Sequence, residues 1–169
     1  AKTGRPKPQD SRFQNRLARY ADALGHDGGD APALLVKELQ AACWNYIGPA
    51  RTEDGLDKFD AEVAQLRDRA SNAAIPADAL WNQSFIEYLE LINMLDTAQA
   101  VSLAARDRDH SLGAHVRLDG GQASTLFGQP HSVVVRRDNA GGYAVTHATR
   151  PKTPLKRLLP HMIADAKRK

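Results

Sequence analysis

Six histidines, one cysteine and two nearby glutamates carry the chemistry this chain could perform if its fold brought them together. His26, His110, His115, His131, His147 and His161 are scattered, with no H-x-x-x-H pair and no second cysteine to share a metal. His110 and His115 come nearest to a site. With Asp107 or Asp109 they offer a thin ligand set, short of the ligands and outer shell that a metal site needs. Glu87 and Glu90 stand one helical step apart, like a carboxylate pair in a bundle. Di-metal bundles join Glu to a His three residues on, and no E-x-x-H occurs here. Glu90 interrupts an apolar helix, so it is either a proton handler with a raised pKa or the partner of an arginine across the bundle; the second is expected. Cys43, within "LQAACWNYI", reads as a thiol packed in a helix rather than as a nucleophile. Spacing alone assembles no Ser-His-Asp set. No G-x-G-x-x-G follows a strand and no P-loop is present; Gly120-Gly121 and Gly141-Gly142 read as turn material. On this reading the chain has no catalytic residue, no metal ligand set and no cofactor site of its own.

The elements that would position these residues are those of an ordinary globular domain. The chain has 169 residues, 42% hydrophobic and 25% charged, enough for one domain with a core and a small annex. No apolar run is long enough to span a bilayer, so direct membrane insertion is not expected. The first residues, "AKTGRPKPQDS", lack the apolar segment of a signal peptide and the starting Met, so the chain reads as processed or cut from something longer. A single cysteine excludes an internal disulfide and fits a reducing, cytoplasmic setting. The net charge of +3 says little about any partner. Basic residues gather at the ends, Lys2, Arg5 and Lys7 first, then Arg150, Lys152, Lys156, Arg157, Lys167, Arg168 and Lys169. Solvated tails are the expected reading, and a nucleic-acid patch is the alternative.

Residues 1–10, with two prolines and a glycine, form a flexible lead-in. Phe13, Leu17, Tyr20 and Leu24 predict a helix from Ser11 to Leu24. A second helix is predicted from Ala31 to Ile47, capped by Asp30, with Pro32 in its first turn and Gly48-Pro49 as its stop. Thr52 should cap a third, whose Leu56, Phe59, Val63, Leu66 and Ala70 make a 3-4-3-4 seam suited to antiparallel packing. The fourth begins at Ala79 or Asn82 and runs to Arg108. It is apolar over most of its girth, the mark of a helix central to a bundle. Beyond His115 the pattern changes. Val133-Val134-Val135 and Tyr143-Ala144-Val145-Thr146 flank an Asn/Gly loop and predict a hairpin over 130–149. Leu155, Leu158, Leu159, Met162 and Ile163 predict a last amphipathic segment, interrupted by Pro160. The expected fold is mainly α: an antiparallel three- to four-helix bundle, spectrin-like, with a small C-terminal β-hairpin. The expected division is lead-in 1–10, bundle 11–115, hairpin annex 116–150 and basic helical tail 151–169.

Three ordered motifs then point to a family. "LQAACWNYIGPARTEDGLDKFDAEVAQLRDR" and "LELINMLDTAQAVSLAARDRDHSLGAHVRLD" resemble the C-terminal helical domain of the succinate dehydrogenase and fumarate reductase flavoproteins. L-aspartate oxidase and adenylylsulfate reductase share that superfamily. Trp44, Ile47, Gly48, Arg51, Thr52 and Leu56 follow its W-x-x-V/I-G-x-x-R and T-x-x-x-L pattern. Leu89, Glu90, Leu91, Asn93, Leu95, Asp96 and Ala98 follow L-E-L-x-N-L-L-D-x-A. Ser111, Gly113, Ala114, His115, Arg117 and Asp119 follow S-R-G-A-H-x-R-x-D. The resemblance covers about residues 31–149. Leu112 stands where the family has arginine, and His110 where it has glutamate, which suggests a divergent member.

The resemblance implies a parent oxidoreductase that moves electrons between FAD and a dicarboxylate-like substrate. This domain would have a structural and docking role and no turnover of its own. It implies that Arg51, Ser111, Gly113, Ala114, His115 and Arg117 face an FAD-binding domain, in the same polypeptide or in a partner subunit. It further implies an iron-sulfur subunit of a respiratory complex as a partner, and a peripheral position at the inner face of a membrane. A stand-alone interaction or assembly module, binding nucleic acid through its basic termini, is the alternative.

Overall fold

Helix signals in the sequence are mostly obeyed, and tertiary partners explain where they are not. A computed structural model describes residues 11–78, 80–122, 131–138 and 142–149 of the chain. The lead-in 1–10 and the tail 151–169 therefore lie outside the described residues. Helix α1 spans Ser11–Asp22, two residues short of the predicted end. The chain turns there, Leu24 donating its N–H to Ala21 O at 3.2 Å and Gly25 to Ile75 O at 2.8 Å.

Helix α2 spans Pro32–Tyr46, with the proline in its first turn, where a missing N–H costs nothing. Asp30 does not cap it. The cap residue is Ala31, which offers no side-chain bond. The Asp30 carboxylate is taken by Arg69, whose Nε donates to it at 2.8 Å, while the same guanidinium also grips Glu38. That ion pair ties the start of α2 to the last turns of α3.

Strand β1, Ala50–Arg51, leads through Thr52 into α3, Glu53–Ser71. Thr52 caps as predicted, accepting the Gly55 N–H at 3.0 Å. The whole predicted seam of α3 is buried. Helix α4 spans Gln83–Asp107, with Asn82 accepting the Phe85 N–H at 2.9 Å.

Helices α2, α3 and α4 pack pairwise around a core that includes Leu35, Leu39, Phe59, Val63, Leu66, Leu91 and Leu95. In a three-helix arrangement no helix is central. α4 buries Leu91, Leu95, Ala98, Ser102 and Ala105, while Ile86 and Val101 are exposed. The expectation that its apolar girth marks the middle of a bundle is therefore corrected: part of that girth faces outward.

Three two-residue strands follow α4: β2 at His110–Ser111, β3 at Val116–Arg117 and β4 at Gly121–Gln122. β1 pairs with β3 in parallel, Ala50 opposite Val116, and β2 pairs with β4 in parallel, His110 opposite Gly121. The first pairing fixes the sense of the bundle. It joins the segment entering α3 to the segment leaving α4, so these helices are antiparallel. The short link from Tyr46 to β1 brings the end of α2 to the same place. Three helix termini and two strand pairs thus meet at one end of the bundle.

The chain divides into two compact units, residues 1–123 and 124–169. In the second, β5 (His131–Arg137) and β6 (Tyr143–Thr149) form the predicted antiparallel hairpin, with Val134 opposite Thr146. Asp138 closes its turn, accepting the Gly142 N–H on Oδ1 at 2.8 Å and donating its own N–H to Gly142 O at 2.9 Å. The Arg137 guanidinium lies 5.8 Å from the centre of the Tyr143 ring.

Candidate docking corner

The converging end of the bundle contains all six residues expected to dock, but in three different situations. Arg117 is inside. Its Nε donates to Asp119 Oδ1 and its Nη2 to Glu53 Oε2, both at 2.9 Å, and its side chain is 6% exposed. The hydrogen bond from Arg117 and the Glu53 N–H, 2.5 Å from Oδ2, hold the Asp119 carboxyl down at about 2. Asp119 thereby supplies an anion to the first turn of α3, where the helix dipole favours one. Ser111 also serves the fold: its Oγ accepts the Arg117 N–H at 3.0 Å. Arg106, in the last turn of α4, pairs with Glu53, Asp57 and Asp60. Asp60 additionally accepts from Gln99 and from the buried Ser102 Oγ, the latter at 2.8 Å. Glu53 is thus shared by two arginines from either side.

Gly113 and Ala114 form the exposed tip of a tight turn. Leu112 donates its N–H to His115 O at 2.8 Å, and His115 returns one to Leu112 O at 3.1 Å. Gly113 takes the first central position with φ +60, which an L side chain resists. Among the described residues a Cβ there would meet nothing within 4 Å, so the glycine is needed for its dihedral and not for packing against them. Close packing falls instead on Gly120, where a Cβ would lie 2.2 Å from Asp109 O and 2.7 Å from Arg117 Cβ. By its sequence Gly120 is only turn material, and nothing in its spacing marks the tight contact; its neighbour Gly121 continues directly into β4.

Arg51 and His115, 64 residues apart, meet. Arg51 donates through Nε and Nη2 to Ile47 O at 3.1 and 3.0 Å, satisfying a carbonyl at the end of α2. Its Nη1 lies 2.5 Å from His115 Nδ1, and His115 Nε2 lies 3.0 Å from Arg108 O. A guanidinium has no lone pair, so Nδ1 must accept and Nε2 must carry the proton. His115 is therefore held as a neutral imidazole of fixed tautomer. Burial, with the charges of Arg51, Arg108 and Arg117, keeps its pKa below the ordinary histidine value. Burial likewise pulls Arg51 below the usual arginine range, and among the described residues no carboxylate compensates it.

Large apolar side chains are exposed on the segments that build this corner. Trp44, one turn before Ile47, is 83% exposed; Leu112, Val116 and Leu118 are also exposed. Val116 and Leu118 are fixed by N–H bonds to Pro49 O and Arg51 O, each 2.9 Å. From Ile47 an open apolar groove of about 360 Å³ runs between α2 and α4, past Cys43, Leu39, Met94, Ala98 and Val101. Cys43 is half-buried there, and burial raises its thiol pKa, which keeps it a poor nucleophile.

The remaining sequence candidates do not converge. His110 Nδ1 lies against its neighbour Asp109 at 3.0 Å, apart from the His115 pairing with Arg51. Among the described residues no group of three His, Cys, Asp or Glu could hold a metal. Glu87 accepts from Gln83 at 3.1 Å. Glu90 is exposed on α4, and among the described residues no arginine pairs with it, so the expected cross-bundle pair is not formed.

Comparison with known proteins agrees with this architecture. Residues 36–156 match the family described as the fumarate reductase flavoprotein C-terminal region. The chain is 32% identical over 125 residues to the 8-methylmenaquinol:fumarate reductase flavoprotein subunit of Wolinella succinogenes, covering 73% of this chain and 20% of the relative. It is 30% identical over 104 residues to the fumarate reductase flavoprotein subunit of Escherichia coli, covering 61% of this chain and 18% of that protein. Among solved structures, the Sdh1 complex of Mycobacterium smegmatis in its apo form aligns with a TM-score of 0.75 at 20% identity, over 89% of this chain and 26% of that one. The chain thus spans about a fifth of the length of its curated relatives. No helix of the described residues is long and apolar enough to cross a membrane. Motif order, bundle and matched region agree, and the chain belongs to the family of C-terminal domains of fumarate reductase and succinate dehydrogenase flavoproteins.

Proposed function

We propose that this chain is the docking domain of an FAD-dependent oxidoreductase of the fumarate reductase/succinate dehydrogenase type, acting on a dicarboxylate-like substrate. The corner formed by Arg51, His115 and the Leu112–His115 turn is its contact with the flavin-bearing part. The observation that carries this reading is the composition of one end of the bundle. A half-buried arginine without a carboxylate partner among the described residues sits on segments that also expose Trp44, Leu112, Val116 and Leu118. Exposed apolar side chains on converging segments suit an interface, and Trp and Arg are among the residues enriched at its energetic centre.

Among the described residues the flavin finds no fitting cradle. None of the described strands passes through a Gly-rich turn into a helix, the geometry that receives a dinucleotide pyrophosphate. Flavin and substrate are assigned to the rest of the parent, and this domain to holding that body in place. An iron-sulfur subunit is a further partner of the assembled enzyme, with the whole at the inner face of a membrane. The basic termini, on which a nucleic-acid role would rest, lie outside the described residues.

The test is affinity capture from cells of the source organism with this chain as bait. A flavoprotein that elutes in equal amount with bound flavin supports the reading. A chain that elutes free of any flavoprotein contradicts it.

A further inference from the structure

We infer that Arg51 is a receptor for one carboxylate side chain presented by the docking partner, with His115 as the residue that positions it. This rests on the docking role proposed above and adds the chemistry of the contact. Arginines that link separate elements elsewhere in the bundle are matched by acid. Arg69 holds Asp30 and Glu38; Arg106 holds Glu53, Asp57 and Asp60; Arg117 holds Asp119 and Glu53. Arg51 belongs to the same end of the bundle and holds none of these. Its partners are a backbone carbonyl and a neutral imidazole, so the pair retains a full positive charge.

The remaining donors suit a carboxylate. A guanidinium has five N–H groups. Nε and one N–H of Nη2 are bonded to Ile47 O, and one N–H of Nη1 to His115 Nδ1. One N–H is left on each Nη nitrogen, enough donors for a two-point contact with a carboxylate. His115 is anchored in turn by Arg108 O, so the guanidinium is held from two sides before a partner arrives. Among the described residues the charges that act on His115 are those of Arg51, Arg108 and Arg117, and Arg117 is already neutralised by Asp119 and Glu53. Exposed Leu112 and Val116 beside the turn would exclude water from the bond and strengthen it.

The experiment is an NMR titration of the arginine side-chain N–H signals of the purified chain. Sodium acetate is added against sodium chloride at constant ionic strength, with inorganic phosphate as a parallel arm. The expected result is a saturable acetate shift at Arg51, absent from the exposed Arg136. His115→Phe should weaken that binding by about tenfold, the usual scale for a lost positioning bond. His115→Asn, which keeps an acceptor near the Nδ1 position, should restore it. Absence of a saturable shift at Arg51, equal affinity in His115→Phe, or tighter binding of phosphate than of acetate would overturn the inference. Flavoprotein capture in the preceding experiment without an acetate site would confine the failure to the carboxylate. An acetate site without flavoprotein capture would confine it to the docking role.

Discussion

Arg51 and Arg117 stand directly opposite each other in the β1–β3 pair, and both belong to family motifs, yet their surroundings give them different work. Arg117 turns inward onto Asp119 and Glu53, so it holds β3 to the start of α3. Arg117→Ala should destabilise the bundle by about 2 kcal/mol, less than breaking a fully buried ion pair because Glu53 and Asp119 keep some access to water. Chemical denaturation would check this. Arg51→Ala should cost less stability and more partner binding. His115 adds a pH dependence whose sign follows from its tautomer. Its folded-state pKa lies below the ordinary value of 6.5, so the unfolded chain binds the proton more readily. The stabilisation is complete above that ordinary value and is lost as pH falls through the folded one. The melting temperature should therefore drop on acidification from neutral pH, and His115→Asn should flatten this part of the profile. Asp119 acts lower: its contribution is complete above its ordinary 3.8 and disappears toward about 2.

Among the elements, local signals and tertiary partners divide the explanation. Thr52 and Asn82 cap because each has its recipient N–H three residues on and no stronger partner nearby. Thr52→Ala should cost about 1 kcal/mol, measurable in a thermal melt. Asp30 carries an equally good local signal and fails to cap, because Arg69, 39 residues away, takes the carboxylate. Glu90 fails the other way, since the side of α4 expected to meet an arginine faces solvent. The α3 seam and the β5–β6 hairpin are readable in the sequence because periodicity and turn residues repeat over several positions. The β1–β3 and β2–β4 pairs are not, since two residues have no period. The meeting of Arg51 with His115 can be located only through the family motifs that contain them, as spacing says nothing about a contact across 64 residues. Gly120 carries no readable signal apart from its type.

For the whole molecule, the bundle should stand by itself and its corner should matter mainly to a partner. Leu95 is fully buried between helices, so Leu95→Asp places a charge in the core and should cost about 4 kcal/mol or more, unfolding the domain. A mutant with a near-unchanged melting curve would contradict the packing. Gly113→Val should behave differently. A Cβ there meets no described neighbour, and the strain of one left-handed residue is about 1–2 kcal/mol, so the bundle should persist while the altered turn weakens docking. Comparing melts with flavoprotein capture separates the two effects.

Hydrogen exchange of this chain, alone and with the flavin-bearing partner, is the decisive measurement for the docking corner. New protection is expected at residues 44–51 and 108–118, with the outward face of α3 unchanged. Protection confined to the outward face of α3, or no change at the corner in a complex that does form, would contradict the docking role.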